Sequence, residues 1–373
     1  MSIIVAIRTD ASNKIGSGHV MRCLSLAEKL RDIGVTVEFI TRNYPGDLNK
    51  QINVKGFHVH LLSNAVRIQL QHNSTEYKRW SDIEQKIDAK ETIKMISDRR
   101  LDWLIVDHYL LDYVWEMELR PYSKKIMVID DLADRNHDCD ILLDQTFGRK
   151  ESDYQKLILN KCVLLLGSEN ALLRSDFKKL RPLALSYRKG NNVVKNIIVS
   201  MGSMDTINIT PKVLDSLSLV KWKVLPTVNV VLTSNAPYLE DIRRNVTKYD
   251  FTVNIRTDEI NMAQLMLESD LAIGSGGTTS WERCCLALPT ILIILANNQQ
   301  KVGENLAEIG ATITIQKNDM IEKNISNSIA MIINDKNLYM EMCNSASRVC
   351  DGNGTKISSE KMLAVGLEGD NDI

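Results

Sequence analysis

A histidine stands where an apolar run gives way to an amphipathic one. Ile3-Ile4-Val5-Ala6-Ile7 leads through Arg8-Thr9-Asp10 into Ile15-Gly16-Ser17-Gly18-His19-Val20-Met21-Arg22-Cys23. An imidazole can take a proton from water near neutral pH, which makes His19 the first candidate for a general base. Gly16 and Gly18 let a ligand approach the backbone closely, and the unpaired N–H groups that open the next helix favour an anion. The same residues also fit a purely geometric strand-to-helix turn, with the histidine bonded to its own loop.

A second glycine-rich turn, Gly274-Ser275-Gly276-Gly277-Thr278-Thr279-Ser280, follows the apolar run from Leu271 and precedes Trp281-Glu282. Its glycines permit a tight turn, and its hydroxyls can cap a helix or donate to phosphate oxygens, a geometry that suits a diphosphate. Glu282, a helical turn further on, can accept from the two hydroxyls of a ribose, or it is simply a favourable charge near a helix start. Asn297-Asn298-Gln299-Gln300 follows another apolar run and offers amide contacts to a sugar. Asp107-His108-Tyr109, Asp130-Asp131 and Asp144-Gln145 likewise come directly after apolar runs. Each of these aspartates serves equally well as a cap or as a substrate contact.

The elements that must position these residues are legible from periodicity. Val20, Cys23, Leu24, Ala27 and Leu30 recur at the helical period. Strands are expected at 3–7, 35–41, 57–62, 101–107, 125–130 and 141–143, then at 196–201, 229–233, 251–256, 271–274, 290–295 and 312–316. Strands separated by helices imply parallel sheets, so the fold class is α/β with two doubly wound, Rossmann-like domains. In such sheets ligands bind beyond the carboxyl ends of the strands, where all these clusters lie. The pattern breaks between Lys178 and Lys195, which places the boundary near residue 185 and gives domains 1–185 and 186–373. The acidic tail from Glu368 to Ile373 reads as mobile.

With 46 Lys plus Arg against 47 Asp plus Glu, the 373-residue chain lacks the basic field of a nucleic-acid binder. It has no signal-peptide pattern at its start, and its longest apolar candidate, Leu288–Ala296, contains Pro289. No membrane association is expected. Seven cysteines with no C-x-x-C pair suit a cytoplasmic chain with reduced thiols. Adjacent Cys284 and Cys285 read as core, and His58 and His60 read as one face of a strand with no third metal ligand nearby. Neither a metal nor a cofactor is expected.

Taken together, these segments resemble the UDP-sugar hydrolases of pseudaminic acid biosynthesis, a nonulosonic acid pathway. The resemblance rests on Arg8-Thr9-Asp10, Ile15 to Cys23, Asp107-His108-Tyr109, Asp130 to Arg135, Asp144-Gln145, Ser200-Met201-Gly202, Gly276 to Cys284 and Asn298-Gln299. It implies a fold like the two-domain, B-type glycosyltransferases (GT-B), with two Rossmann-like domains facing a cleft. It implies metal-independent, inverting attack of water on UDP-2,4-diacetamido-2,4,6-trideoxy-β-L-altropyranose, with C–O cleavage and His19 as base.

On this resemblance Asp10, Gly16, Gly18, Tyr109, Asn298 and Gln299 meet the substrate. Gly202, Gly276, Gly277, Thr278, Thr279, Ser280 and Glu282 hold UDP in the C-terminal domain. The chain departs from the family at Ser203-Met204, where a second glycine usually precedes the aspartate. The alternatives are a UDP-sugar-dependent transferase of the same fold and a non-catalytic nucleotide-sugar sensor.

Overall fold

Side chains on both faces of each central strand are apolar, and this decides the architecture. In the computed structural model, Val5 and Ile7 of β1 (Ile4–Thr9) enter one buried cluster, while Ala6 enters another. The same alternation recurs in Trp103 and Ile105 against Leu104 and Val106 of a neighbouring strand. A sheet apolar on both sides must be covered on both sides, which is the condition parallel βαβ units satisfy. The structure describes residues 3–63, 66, 79–96, 98–191, 193–318 and 320–368. The tail beyond Glu368 lies outside the described residues.

The chain divides into two compact units, Met1–Arg174 with Asn353–Ile373, and Ser175–Gly352. In the first, β1 is followed by α1 (Gly18–Asp32), β2 (Thr36–Arg42), α2 (Asn49–Val54), β3 (His58–Leu62), α3 (Asp82–Ile96) and β4 (Leu101–Asp107). Then come α4 (Tyr113–Leu119), β5 (Ser123–Ile129), β6 (Ile141–Asp144) and β7 (Val163–Leu166). The sheet runs β3-β2-β1-β4-β5-β6-β7, all parallel. Its order reverses between β1 and β4, where Thr9 pairs with Asp107. The strand β7 was not expected, because its four residues are too few to show a period.

The second unit contains α5 (Ser175–Gly190), β8 (Asn196–Ser200), α6 (Thr210–Ser218), β9 (Thr227–Leu232), α7 (Leu239–Asn245), β10 (Thr252–Thr257) and α8 (Met262–Glu268). These lead to β11 (Leu271–Ser275), α9 (Thr279–Cys285), β12 (Thr290–Ile294), α10 (Gln300–Glu308), β13 (Thr312–Gln316), α11 (Ile321–Asn334) and α12 (Lys336–Val349). Its sheet runs β10-β9-β8-β11-β12-β13 and reverses between β8 and β11. Both units are thus doubly wound and Rossmann-like. The last helix, α13 (Gly354–Glu368), belongs to the first unit.

These units differ from the division expected at residue 185. That position falls inside α5, whose Arg181 donates to the carbonyls of Cys285, Ser347 and Cys350 and whose Arg188 donates to that of Met266. Such contacts carry the helix, Pro182 included, into the second unit. Residues 353–373 group with the first unit because Thr355 Oγ1 donates to the Leu173 carbonyl, and Met362 and Val365 join the core beside α1. Only glycine fits at position 354, where a Cβ would come within 2.3 Å of the Asn170 backbone.

One layer of the first unit is ionic. Arg8, Arg42, Asp10 and Asp88 are all wholly buried, and Asp88 accepts from Arg8 Nη2 at 2.8 Å and Arg42 Nη2 at 2.7 Å. Trp115 Nε1 donates to Asp88 as well, at 2.9 Å. Burial by itself would raise the Asp88 carboxyl, but the two guanidiniums outweigh it and hold it below the usual carboxylate range. Asp88 therefore stabilises the fold above the unfolded carboxylate pKa, and that contribution fades as pH falls below about 4. Asp88→Ala leaves two buried cations short of a partner and is expected to cost about 3–5 kcal/mol at neutral pH. Urea unfolding should show the gap from the native protein narrowing in acid.

Candidate active site

Gly16 adopts φ +81°, a left-handed conformation that glycine accommodates without strain, and its N–H donates to the Ser12 carbonyl at 2.8 Å. This closes the loop after β1 and delivers Gly18 and His19 to the start of α1. His19 Nδ1 lies 2.5 Å from Asp107 Oδ1. A carboxylate only accepts, so Nδ1 carries a hydrogen, and in the neutral ring Nε2 is the nitrogen with the free lone pair. Imidazole and carboxylate form the orienting pair that general-base chemistry needs.

Asp107 ends β4 and is wholly buried. Arg22 donates to it twice, Nε to Oδ2 and Nη2 to Oδ1, each at 2.7 Å, and Cys23 Sγ donates to Oδ2 at 3.4 Å. Burial pushes the Asp107 carboxyl up, yet Arg22 and then His19 reverse this and hold it well below the usual range. His19, Arg22 and Cys23 stand at helical spacings i, i+3 and i+4, which puts all three on one face of α1. Arg22 Nη1 also reaches Asp131 Oδ2 at 2.5 Å, and the same oxygen accepts from the Tyr109 hydroxyl at 3.0 Å. The Tyr109 ring meets His19 edge-on, with centroids 4.4 Å apart. A small concavity lined by Ile15, His19, His108, Tyr109 and Leu110 opens beside the imidazole.

The structure brings Gly16, Gly18, His19 and Tyr109 together and places Asp10 differently. Asp10 is wholly buried, with Oδ2 accepting from Arg8 Nη2 at 2.9 Å and Oδ1 from the Arg42 backbone N–H at 2.7 Å. His108 Nε2 lies 3.2 Å from Oδ2. Asp10 supports the site from beneath, and His108 is the side chain it holds at the concavity. Arg22 also belongs to this cluster, although sequence reasoning gave it no role, and Asp131, read from sequence as a cap or a substrate contact, is its partner. The i+3 spacing of Arg22 from His19 was the available signal.

In the second unit Gly274 pairs with Ser200, so the turn after β11 and the segment Met201-Gly202 emerge side by side where the sheet order reverses. Gly202 takes φ +85°. Beyond it the Ser203 carbonyl accepts from Thr233, and Asp205 caps α6 by accepting from the N–H groups of Ile209 and Thr210. The departure at Ser203-Met204 is therefore absorbed within the loop. Gly276 packs against Gln299, whose Cβ would lie 3.1 Å from a Cβ placed there, whereas Gly277 is exposed with open space before it.

Thr278 and Thr279 are half-buried, and Ser280 is buried, its Oγ accepting from Arg283 Nη2 at 3.0 Å. Ser280 thus braces the turn from inside, and the Thr279 hydroxyl accepts from Arg283 Nη1 at 3.5 Å. Glu282 is half-buried. Asn298 is exposed, while Gln299 Oε1 accepts from the Leu295 N–H at 2.9 Å and ties down its own loop. Among the described residues no group of three or more His, Cys, Asp or Glu side chains is arranged to hold a metal, and no helix is long and apolar enough to cross a membrane. His58 and His60 pack edge-on against each other, and Cys284 and Cys285 are buried core residues.

Residues 196–354 match the glycosyltransferase family 28 C-terminal domain. The chain is 30% identical over 298 residues to an uncharacterized protein of Methanocaldococcus jannaschii, covering 78% of this chain and 55% of that one. The chain thus spans about half the length of this archaeal relative. It is 26% identical over 307 residues to the UDP-2,4-diacetamido-2,4,6-trideoxy-beta-L-altropyranose hydrolase of Campylobacter jejuni, covering 82% of this chain and 97% of that one. The crystal structure of MurG from Acinetobacter baumannii superposes with a TM-score of 0.66 at 13% identity, covering 97% of this chain and 99% of that one. The fold is accordingly that of the GT-B proteins, and the chain is a distant relative of an enzyme that acts on a UDP-sugar.

Proposed function

We propose that the chain hydrolyses UDP-2,4-diacetamido-2,4,6-trideoxy-β-L-altropyranose, releasing UDP and the free diacetamido sugar. The observation that carries this reading is the His19–Asp107 pair, which fixes one ring nitrogen and leaves the other as a base beside a concavity. Water gives a proton to His19 Nε2 as its oxygen bonds to the anomeric carbon, and the C–O bond to the diphosphate breaks with inversion. The departing UDP carries the electron pair of that bond. A diphosphate is already a good leaving group, so the paired carboxylates of ordinary glycosidases are not required.

The turn from Gly276 to Thr279 is the proposed diphosphate holder, with Glu282 on the ribose and Gly202 at the neighbouring strand end. Arg283 supports this assignment. It is buried beneath the turn and hydrogen-bonded there to neutral oxygens, with the Glu282 carboxylate near enough to act on its charge. Its guanidinium donates to the Ser275 carbonyl at 2.8 Å, and burial lowers its pKa to about 10. A cation so placed favours an anion at the turn. The sugar contacts fall to Tyr109 and Asn298.

A proton NMR time course with this UDP-sugar is expected to show UDP and free sugar appearing in equal amounts, with no acceptor and in excess EDTA. Turnover only with an acceptor hydroxyl would make the protein a transferase, and UDP binding with no turnover at all would make it a sensor. His19→Asn keeps a polar side chain but no base, and kcat should fall by about a hundredfold or more while UDP affinity holds.

Gly277→Val adds bulk only on the open side of the turn, so the fold should survive it. The rise in melting temperature that UDP gives the native protein should then disappear, because the backbone can no longer be approached. A folded variant with an unchanged UDP shift would place the nucleotide elsewhere.

A further inference from the structure

We propose that Arg22 is the positioning residue that keeps His19 usable as a base and sets the place of Tyr109, by bridging Asp107 and Asp131. The inference rests on the reading of His19 as the proton acceptor. A carboxylate 2.5 Å from an imidazole orients it, but taken alone that charge also favours the imidazolium, which is no base. Arg22 resolves this conflict. Its fork engages both oxygens of Asp107, and Nη2 stands 3.3 Å from His19 Nδ1. The carboxylate keeps its directional bond to the ring, and a cation stands beside the same ring nitrogen.

The same guanidinium extends Nη1 to Asp131, whose oxygen also holds the Tyr109 hydroxyl. Tyr109 in turn forms the wall against which the imidazole lies. One planar fork therefore fixes two sides of the site at once, which an ammonium point charge cannot do.

The remaining ionisable neighbours do not supply this balance. Cys23 on α1 is kept a neutral thiol by burial and by Asp107, and Tyr109 a neutral phenol by burial and by Asp131. His108, after β4, is held neutral by burial. Behind them, Arg149 Nη2 donates to the Asp131 carbonyl, and the Arg135 guanidinium lies 6.0 Å from the Tyr109 ring centroid while paired with Asp130. Among the described residues the charges in direct contact around His19 are thus Asp107 and Arg22, with Asp131 one bond further out.

The test uses the full chain with Arg22→Met and Arg22→Lys, each checked for folding by circular dichroism. It reads the pH dependence of kcat and, without substrate, the ¹⁵N imidazole titration of His19. In Arg22→Met the acid limb of the rate profile and the His19 midpoint should both move to higher pH, because Asp107 is left uncompensated. In Arg22→Lys both should stay in place, while kcat on the alkaline plateau falls at least about tenfold through the lost bridge to Asp131. A folded Arg22→Met with an unmoved midpoint overturns the proposal, as does an Arg22→Lys that moves the midpoint or keeps the native kcat. If Arg22→Met does not fold, the lysine variant decides alone. If the native protein turns over no UDP-sugar, the titration still reports on Arg22, so failure of the hydrolase reading is distinguished from failure of this one.

Discussion

The Asp107 carboxylate, wholly buried at the end of β4, is the charge on which the first unit's site depends. A lone carboxylate in that position would carry a desolvation penalty of several kcal/mol, so it must be met by cations and hydrogen-bond donors of good geometry. Both come from one face of α1, as Arg22, His19 and Cys23. The ion pair that makes the buried charge tolerable therefore also locks the first turns of α1 against the strand ends. The fold and the candidate site share one group here. Arg22 engages both oxygens of the carboxylate, and Oδ1 also orients the His19 ring.

A second ionic layer lies beneath this one and does different work. Arg8 and Asp10 flank the end of β1, Arg42 ends β2, and Asp88 comes from α3 on the sheet face that also buries Trp115. Each Asp10 oxygen accepts a hydrogen bond, and His108 turns Nε2 towards it while its Nδ1 accepts from the Leu110 N–H. The loop carrying His19 and the segment carrying His108 and Tyr109 are thus fixed to the same buried base. A preorganised site of this kind avoids ordering its groups at the moment of reaction.

In the second unit a buried guanidinium is met by neutral oxygens at hydrogen-bond distance, with the Glu282 charge nearby. Arg283 donates to a carbonyl and a hydroxyl, and its guanidinium fills the space that any side chain at position 274 would need, since a Cβ there would come within 2.3 Å of Nη1. The Ser200 carbonyl, 2.9 Å from the same Cβ, crowds position 274 as well. Gly276 is close-packed against Gln299, and Gly277 alone of the three faces open space.

The sequence by itself determined the two parallel sheets and the strand ends at which His19 and the Gly276–Ser280 turn emerge, because apolar periodicity and glycine placement are local signals. It also pointed to Tyr109, which stands directly after a strand. It did not reveal β7, whose four apolar residues carry no usable period, nor the return of α13 to the first unit. It read Lys178 to Lys195 as a break, although contacts from Arg181 and Arg188 make most of that stretch a helix of the second unit. Above all, the partnership of Arg22 with Asp107 and Asp131 joins residues 85 and 109 positions apart. No local pattern records such a pairing. It exists only because the reversal of strand order brings the ends of β1 and β4 side by side, with β5 next to β4, and burial then obliges each charge to find its opposite.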